Sequence, residues 1–233
     1  NFRNSIAWKR QPPRGAKAIA SQFARSSDTI LYYSKSQEHC WNPLFKEYNK
    51  KYIKAKFKPD DSGRLYRIDT VGTYSKTSIE KFREQGRIYD YPSGKIGLIR
   101  YLDEAKGEPV SDIWIDISEV NSQAKERVRY PTQKPEALLE RIIKASSNEE
   151  DLILDCFVGS GTTAAVAEKF NRRWIACDLG RFAIHTTRKR MLSIENVKPF
   201  IVQNLGKYER QQWISVEFSN VKSRATQEKA YRN

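Results

Sequence analysis

Leu152-Ile153-Leu154-Asp155-Cys156-Phe157-Val158-Gly159-Ser160-Gly161-Thr162-Thr163-Ala164-Ala165-Val166-Ala167 is the stretch on which the reading of this chain turns. The apolar run predicts a short buried strand that ends in an acid, Asp155. Gly159 and Gly161 then turn the chain, because glycine tolerates φ > 0 and lets a ligand approach the main chain. Hydroxyl side chains at Thr162 and Thr163 open a helix whose unpaired N–H groups and positive dipole end point into the same crevice. In an open α/β sheet that crevice, outside the carboxyl ends of the strands, is where ligands bind. The stretch predicts a small-molecule site.

Spacing narrows the ligand. Gly159-Ser160-Gly161 lacks the third glycine of a dinucleotide fingerprint, and no Gly-Lys-Thr or Gly-Lys-Ser follows, which excludes a P-loop. A second acid, Asp178, closes another apolar run, Trp174-Ile175-Ala176-Cys177. It stands about 20 residues beyond the loop, where an acid accepts hydrogen bonds from two ribose hydroxyls. An adenosine ligand without phosphates suits such a site, with Asp155 left to hold a cationic amine. S-adenosylmethionine meets that description. The plain alternative, a strand-turn-helix corner with no ligand, does not account for acid, glycines and second acid in this order.

Upstream lies Tyr130-Pro131-Thr132-Gln133-Lys134-Pro135-Glu136-Ala137-Leu138-Leu139-Glu140-Arg141-Ile142-Ile143. Pro135 suits the first turn of a helix, and Leu138, Leu139, Ile142 and Ile143 form one apolar stripe at helical spacing. From Thr132 to Asp178 the chain resembles the cofactor half of the DNA amino-methyltransferases, in the permuted class where this half comes late. Those enzymes carry a Thr/Gln-Lys-Pro helix, an Asp-Pro-Phe-x-Gly-Ser-Gly-Thr-Thr loop and a strand ending in an acid. Cys156 stands here where proline is common. The resemblance implies that Asp155, Phe157, Gly159, Ser160, Gly161, Thr162 and Thr163 line the methionine and adenine portions of S-adenosylmethionine. It assigns the ribose to Asp178 with Leu179 beside it, and adds Thr132, Gln133 and Lys134 from the preceding loop. The implied fold is α/β, a partial Rossmann-like S-adenosylmethionine-dependent methyltransferase fold with a polar insertion, lacking the strand that carries the catalytic motif.

The chain has 233 residues, 39% hydrophobic and 30% charged, with 42 Lys+Arg against 28 Asp+Glu and a formal net charge of +14. A charge of that sign favours polyanions, and double-stranded DNA is the expected partner. Cys40, Cys156 and Cys177 make neither a disulfide framework nor a zinc motif, and Cys156 and Cys177 are expected to be buried at strand ends. A cytoplasmic location is expected. No apolar segment approaches the length of a membrane span, so no membrane role is expected.

Four regions are expected. Residues 1–40 read as two strands, at Ser5–Trp8 and Thr29–Tyr33, around a basic loop with Lys9, Arg10, Arg14, Lys17 and Arg25 beside Pro12, Pro13 and Gly15. Residues 41–129 are polar and aromatic and stand where the resembled family places its DNA target-recognition region. There Phe45, Tyr48 and Tyr52 recur at helical spacing among lysines, and Trp114 is expected in the core. Residues 130–205 form the cofactor half, with a helix from Arg181 to about Leu192 and a further strand at Pro199–Gln203. His185 falls off the helix's packed face and His39 is no better placed, so neither is expected to be a catalytic base. Residues 206–233 form a polar C-terminal tail.

Methyl transfer to an exocyclic amine in the resembled enzymes uses an Asp/Asn/Ser-Pro-Pro-Tyr/Phe motif that grips a flipped base. No such motif occurs: Pro12-Pro13 follows Gln11 and precedes Arg14. In the permuted class it lies before the hairpin, so the chain is expected to be a C-terminal part, inactive alone. It should need the missing N-terminal segment or a second chain, or form a homo-oligomer. The expected activity of the whole is site-specific methylation of a base amine, adenine favoured over cytosine, in a restriction-modification setting. The alternative is a catalytically degenerate methyltransferase-like subunit that binds nucleic acid. RNA or protein methylation and dinucleotide oxidoreduction are weaker readings.

Overall fold

The computed structural model describes residues 1–11, 21 and 23–204. The Pro12, Pro13, Arg14, Gly15 and Lys17 part of the basic loop and the tail 206–233 lie outside the described residues. Strands β1 (Phe2–Lys9) and β2 (Ser27–Tyr33) pair antiparallel, extending the expected Ser5–Trp8 core at both ends and the Thr29–Tyr33 core at its start. Next come β3 (Phe45–Lys46), α1 (Lys50–Lys56), β4 (Lys58–Pro59), β5 (Leu65–Thr70), α2 (Lys76–Glu84), β6 (Ile88–Asp90), β7 (Ile96–Tyr101) and β8 (Glu108–Pro109). The chain continues through β9 (Ile113–Trp114), α3 (Glu136–Ser146), β10 (Leu152–Asp155), α4 (Thr162–Lys169), β11 (Arg173–Ala176) and α5 (Arg181–Leu192).

These strands make four sheets: β2-β1-β9, the parallel pair β10-β11, the pair β3-β8, and an antiparallel β4-β5-β7-β6. β10, α4 and β11 are one parallel βαβ unit, with Asp155 opposite Ala176 at the carboxyl end. The fold is mixed α/β. Among the described residues no hydrogen-bonded ladder joins the β1 sheet to β10-β11. Helix α3 ties them instead. Its Leu138 packs with Trp8, Trp114 and Ile117, and five residues further along Ile143 packs with Val166 and Ala167. That stripe is the one read from the sequence, and Trp114 is in the core as expected. Pro135 sits one position earlier than expected, capping α3 just before Glu136.

Helix α4 is short-sided for a reason. Ala164, Ala165, Val166 and Ala167 are all buried, sandwiched between the β10-β11 pair, α3 and α5, where larger side chains would overpack. On α5, Ala183, Thr187 and Met191 face inward as expected, while Ile194 lies beyond the helix end and packs on the same cluster. His185 and His39 are exposed.

Three expectations are corrected. Phe45 does not share a helix with Tyr48 and Tyr52: it lies in β3, and only Tyr52 is in α1. Asn49, whose side chain accepts from the Tyr52 N–H at 2.7 Å, starts that helix and fixes its boundary. Pro199–Gln203 forms no strand; Phe200 instead leaves the chain to pack on Trp174 at 5.6 Å. Cys156 and Cys177 are exposed, not buried. Both fall just past the last strand residue, in the turns that leave the carboxyl ends of β10 and β11.

Region 41–129 is more ordered than its pattern suggests. The alternating run of β5, Tyr66-Arg67-Ile68-Asp69, is only four residues long, and in β7 Leu98 and Arg100 share one face, which breaks the period. The region is also tied to α3: Asn42 donates to the Lys144 and Ser147 carbonyls at 3.0 Å each, and Asp116 binds Arg141 at 2.7 Å.

A candidate cofactor corner at the carboxyl ends of β10 and β11

Asp155 ends β10, and its Oδ1 accepts the Phe157 N–H at 2.9 Å. The Cys177 N–H donates to the Asp155 carbonyl at 2.8 Å and the Val158 N–H to the Cys177 carbonyl at 3.0 Å. These bonds carry the parallel ladder past the strands and lock the two turns together. Asp178 then reaches across. Its Oδ2 accepts the Gly159 N–H at 2.9 Å and its Oδ1 the Gly180 N–H at 2.8 Å. A carboxylate has about four acceptor sites, so Asp178 keeps capacity for a ligand while organising the loop.

Both loop glycines are required by geometry. Gly159 has φ +51° and Gly161 φ +76°, a region that side chains disfavour. A Cβ on Gly161 would lie 2.9 Å from Thr187 Oγ1, and one on Gly159 3.3 Å from the Tyr130 ring. Gly161 caps α4, whose first residues are Thr162 and Thr163.

The sequence-predicted residues divide into two groups. Phe157 is 89% exposed and Leu179 fully so, flanking the Asp155 and Asp178 carboxylates with apolar side chains that face solvent. Ser160, Gly161 and Thr162 are buried. Thr162 Oγ1 lies 2.9 Å from Ser160 Oγ and donates to the Lys134 carbonyl at 3.1 Å. Gln133 also braces rather than projects, donating to the Glu126 carbonyl and accepting the Val128 N–H. Thr132 is exposed, Thr163 half-buried, and Lys134 reaches Asp28 at 3.2 Å, joining this loop to the hairpin.

Two features were not read from the sequence. Arg190 of α5 is buried, and its guanidinium donates to Thr162 Oγ1 at 3.0 Å, to the Ser160 carbonyl at 3.3 Å and to Glu136 at 2.7 Å. It pins the loop from beneath. An arginine among Arg188 and Lys189 gives no sequence sign of burial. Tyr130 and Phe182 stack at 5.5 Å and 11° beside Gly159. The signal there was a ring in the first turn after the second acid.

Burial raises the Glu136 carboxyl's pKa, but hydrogen bonds from Lys169 (2.6 Å) and Arg190 (2.7 Å) outweigh it and hold the group below the ordinary glutamate value. The corner thus presents two carboxylates, exposed apolar side chains and a glycine-rich backbone, braced by buried ion pairs. That combination makes the carboxyl end of β10-β11 the candidate ligand corner of this α/β chain.

The chain belongs to the DNA methylase family, whose model matches residues 1–189. It is similar to the type II methyltransferase M1.MboII of Moraxella bovis, 30% identical over 179 residues, covering 76% of this chain and 58% of that protein. With the type II methyltransferase M.EcaI of Enterobacter cloacae it shares 26% identity over 194 residues, 73% of this chain and 43% of the other. The type II methyltransferase M2.DpnII of Streptococcus pneumoniae is 47% identical over 94 residues, 40% of this chain and 34% of that one. Among solved structures, that of the M1.HpyAVI-SAM complex aligns with a TM-score of 0.43 at 20% identity, over 81% of this chain and 61% of that chain. The chain therefore spans about half the length of the first two relatives.

Proposed function

We propose that this chain is the cofactor-binding and target-recognition part of an S-adenosylmethionine-dependent DNA methyltransferase that modifies an exocyclic base amine, adenine favoured over cytosine. The observation that carries the reading is the Asp155–Asp178 corner in a chain of the DNA methylase family. The donor set fits the cofactor. Asp178 retains acceptor capacity for two ribose hydroxyls, and Phe157 and Leu179 expose apolar surface for an adenine. Asp155 Oδ2 accepts no hydrogen bond among the described residues and suits the cationic amine. Ser160, Gly161, Thr162 and Gln133 then act by shaping the loop, while Thr132, Thr163 and Lys134 edge the site. When bound, S-adenosylmethionine supplies the electrophilic methyl carbon. The chain's own residues orient it, by hydrogen bonds preset through buried groups.

The base-gripping Pro-Pro-Tyr motif is not among residues 1–233, so methyl transfer requires a complementing N-terminal segment or second chain. One physical feature supports such a partner. Leu152, Leu154 and Ile175 share the face of β10-β11 opposite α4 and are each at least half exposed, whereas parallel sheets are ordinarily covered on both faces. Residues 41–129 are the DNA-recognition region in this reading and residues 1–40 the hairpin of the sheet. No helix of the described residues is long and apolar enough to cross a membrane, which suits a cytoplasmic setting with restriction-modification partners.

The test is calorimetric. The wild-type chain is expected to bind S-adenosylmethionine, and Asp178→Ala to weaken it at least tenfold, the effect of losing more than ~1.4 kcal/mol. Equal affinity in the variant would remove Asp178 from the site. The degenerate-subunit alternative is separated by supplying the complementing segment: restored methylation supports the enzyme, and persistent inactivity with intact cofactor and DNA binding supports the subunit.

A further inference from the structure

The four-stranded sheet has two chemically different faces. Alternation along β5 and β7 puts Arg67, Asp69, Leu98 and Arg100 on one face, with Asp90 beside them from β6. It puts Tyr66, Ile68, Ile99 and Tyr101 on the other, where β4 adds Lys58 opposite Tyr66 and β6 adds Tyr89 opposite Gly97. Both helices of the region engage the first face. Arg67 donates to Tyr52 Oη of α1 at 2.8 Å, Arg83 of α2 forks onto Asp90 at 2.8 and 2.9 Å, and Leu98 is buried.

The second face is tyrosine-rich and partly open. Tyr89 and Tyr91 are exposed and pack edge to face at 4.9 Å. Gly97 makes room for this pair, since a Cβ there would run into Ile68 and meet the Tyr91 ring at 3.1 Å. Lys58 Nζ lies 5.1 Å from the Tyr66 ring centre and 5.8 Å from that of Tyr89. Arg64 and Arg87 lie over Tyr101 at 3.8 and 5.0 Å. The strand-borne acids, Asp69 and Asp90, are on the helix-covered face and bound by arginines. Three acids stand at the edge of this face: Asp103 and Glu104, beyond the end of β7, are held by Arg64 and Arg87, and Asp60, in the turn before β5, accepts from the Ser62 hydroxyl and the Ser62 and Arg64 N–H groups.

We propose that this open tyrosine face is the surface by which the region contacts DNA, Lys58 meeting phosphate and Tyr89 and Tyr91 stacking on nucleotides displaced from the helix stack. The inference rests on the DNA reading above and gives it residues. Aromatic faces accept any base, and ammonium groups supply sequence-independent affinity. Of the carboxylates, which would repel a polyanion, Asp69 and Asp90 lie on the other side of the sheet and Asp103 and Glu104 are paired with arginines at its edge.

The experiment uses the full chain and a fluorescent duplex oligonucleotide carrying one mismatch, read by anisotropy, with S-adenosylmethionine binding followed separately by calorimetry. The double variant Lys58→Gln/Tyr89→Leu is expected to bind DNA about tenfold or more weakly, with cofactor affinity unchanged. Tyr89→Phe, which keeps the ring, should bind as the wild type does and controls for folding. Lys76→Gln/Lys81→Gln on α2 removes two charges from the opposite side and is expected to cost less than the first variant. An equal or larger loss in the α2 variant overturns the assignment, because net charge alone would then explain binding. A wild-type chain that binds cofactor but no DNA at low salt overturns the DNA reading itself, whereas full DNA affinity in Lys58→Gln/Tyr89→Leu overturns only this surface.

Discussion

Arg190 is 5% exposed, and it touches the loop at two points while pairing with Glu136. Removing it strands Glu136 in a half-buried place with only Lys169 to hold it. Breaking a buried pair commonly costs about 3–5 kcal/mol, and the remaining Lys169 puts the expected loss near ~3 kcal/mol. Arg190→Met should therefore lower the melting temperature and weaken S-adenosylmethionine, and Arg190→Lys should restore stability more than cofactor affinity because it cannot fork. Thermal melts and calorimetry on both variants check this; an unchanged melting temperature in Arg190→Met would contradict it. Gly161→Val meets Thr187 and an unfavourable φ together. The expected cost is about 1–3 kcal/mol, read by chemical denaturation. At this scale the acids and glycines were legible because their chemistry restricts residue type. Arg190 was not, since a long cation pairs invisibly to any one-dimensional pattern.

Among elements, α3 is the joint. One apolar stripe serves two sheets, and its first residue, Glu136, anchors the base of the cofactor loop through Arg190. Glu136 has a folded pKa below its unfolded value of 4.5. Its stabilisation is therefore complete above that value and is lost as pH falls below it through the folded pKa. Melting temperature should decline on acidification below about pH 4.5 more steeply in the wild type than in Glu136→Gln; parallel pH profiles would contradict the brace. Helices α3 and α5 were readable because a 3.6-residue stripe survives in the sequence. Strands β5 and β7 were not, because the alternating run Tyr66–Asp69 is only four residues long and in β7 Leu98 and Arg100 share one face.

Taken as a whole molecule, the described residues form the sheets β2-β1-β9 and β10-β11 joined by α3, with the antiparallel sheet β4-β5-β7-β6 between them in sequence. The apolar face formed by Leu152, Leu154 and Ile175 predicts concentration-dependent self-association of the isolated chain. Sedimentation should detect it, Leu154→Lys should suppress it, and a monomer at all concentrations would contradict the need for a partner. The net charge of +14 predicts DNA affinity that drops steeply with salt; a flat dependence would remove the electrostatic argument. The hairpin β1-β2 and the βαβ unit β10-α4-β11 were legible because an apolar run and a glycine loop mark them. The separate ladders of β2-β1-β9 and β10-β11 have no mark in the sequence, because pairing between distant strands leaves no local pattern.

The most direct measurement is a co-crystal structure with S-adenosylhomocysteine, the unreactive product form of the donor. The account predicts its ribose on Asp178, its adenine against Phe157 and Leu179 and its amino group at Asp155. Density for the ligand at any other place in the molecule would contradict it.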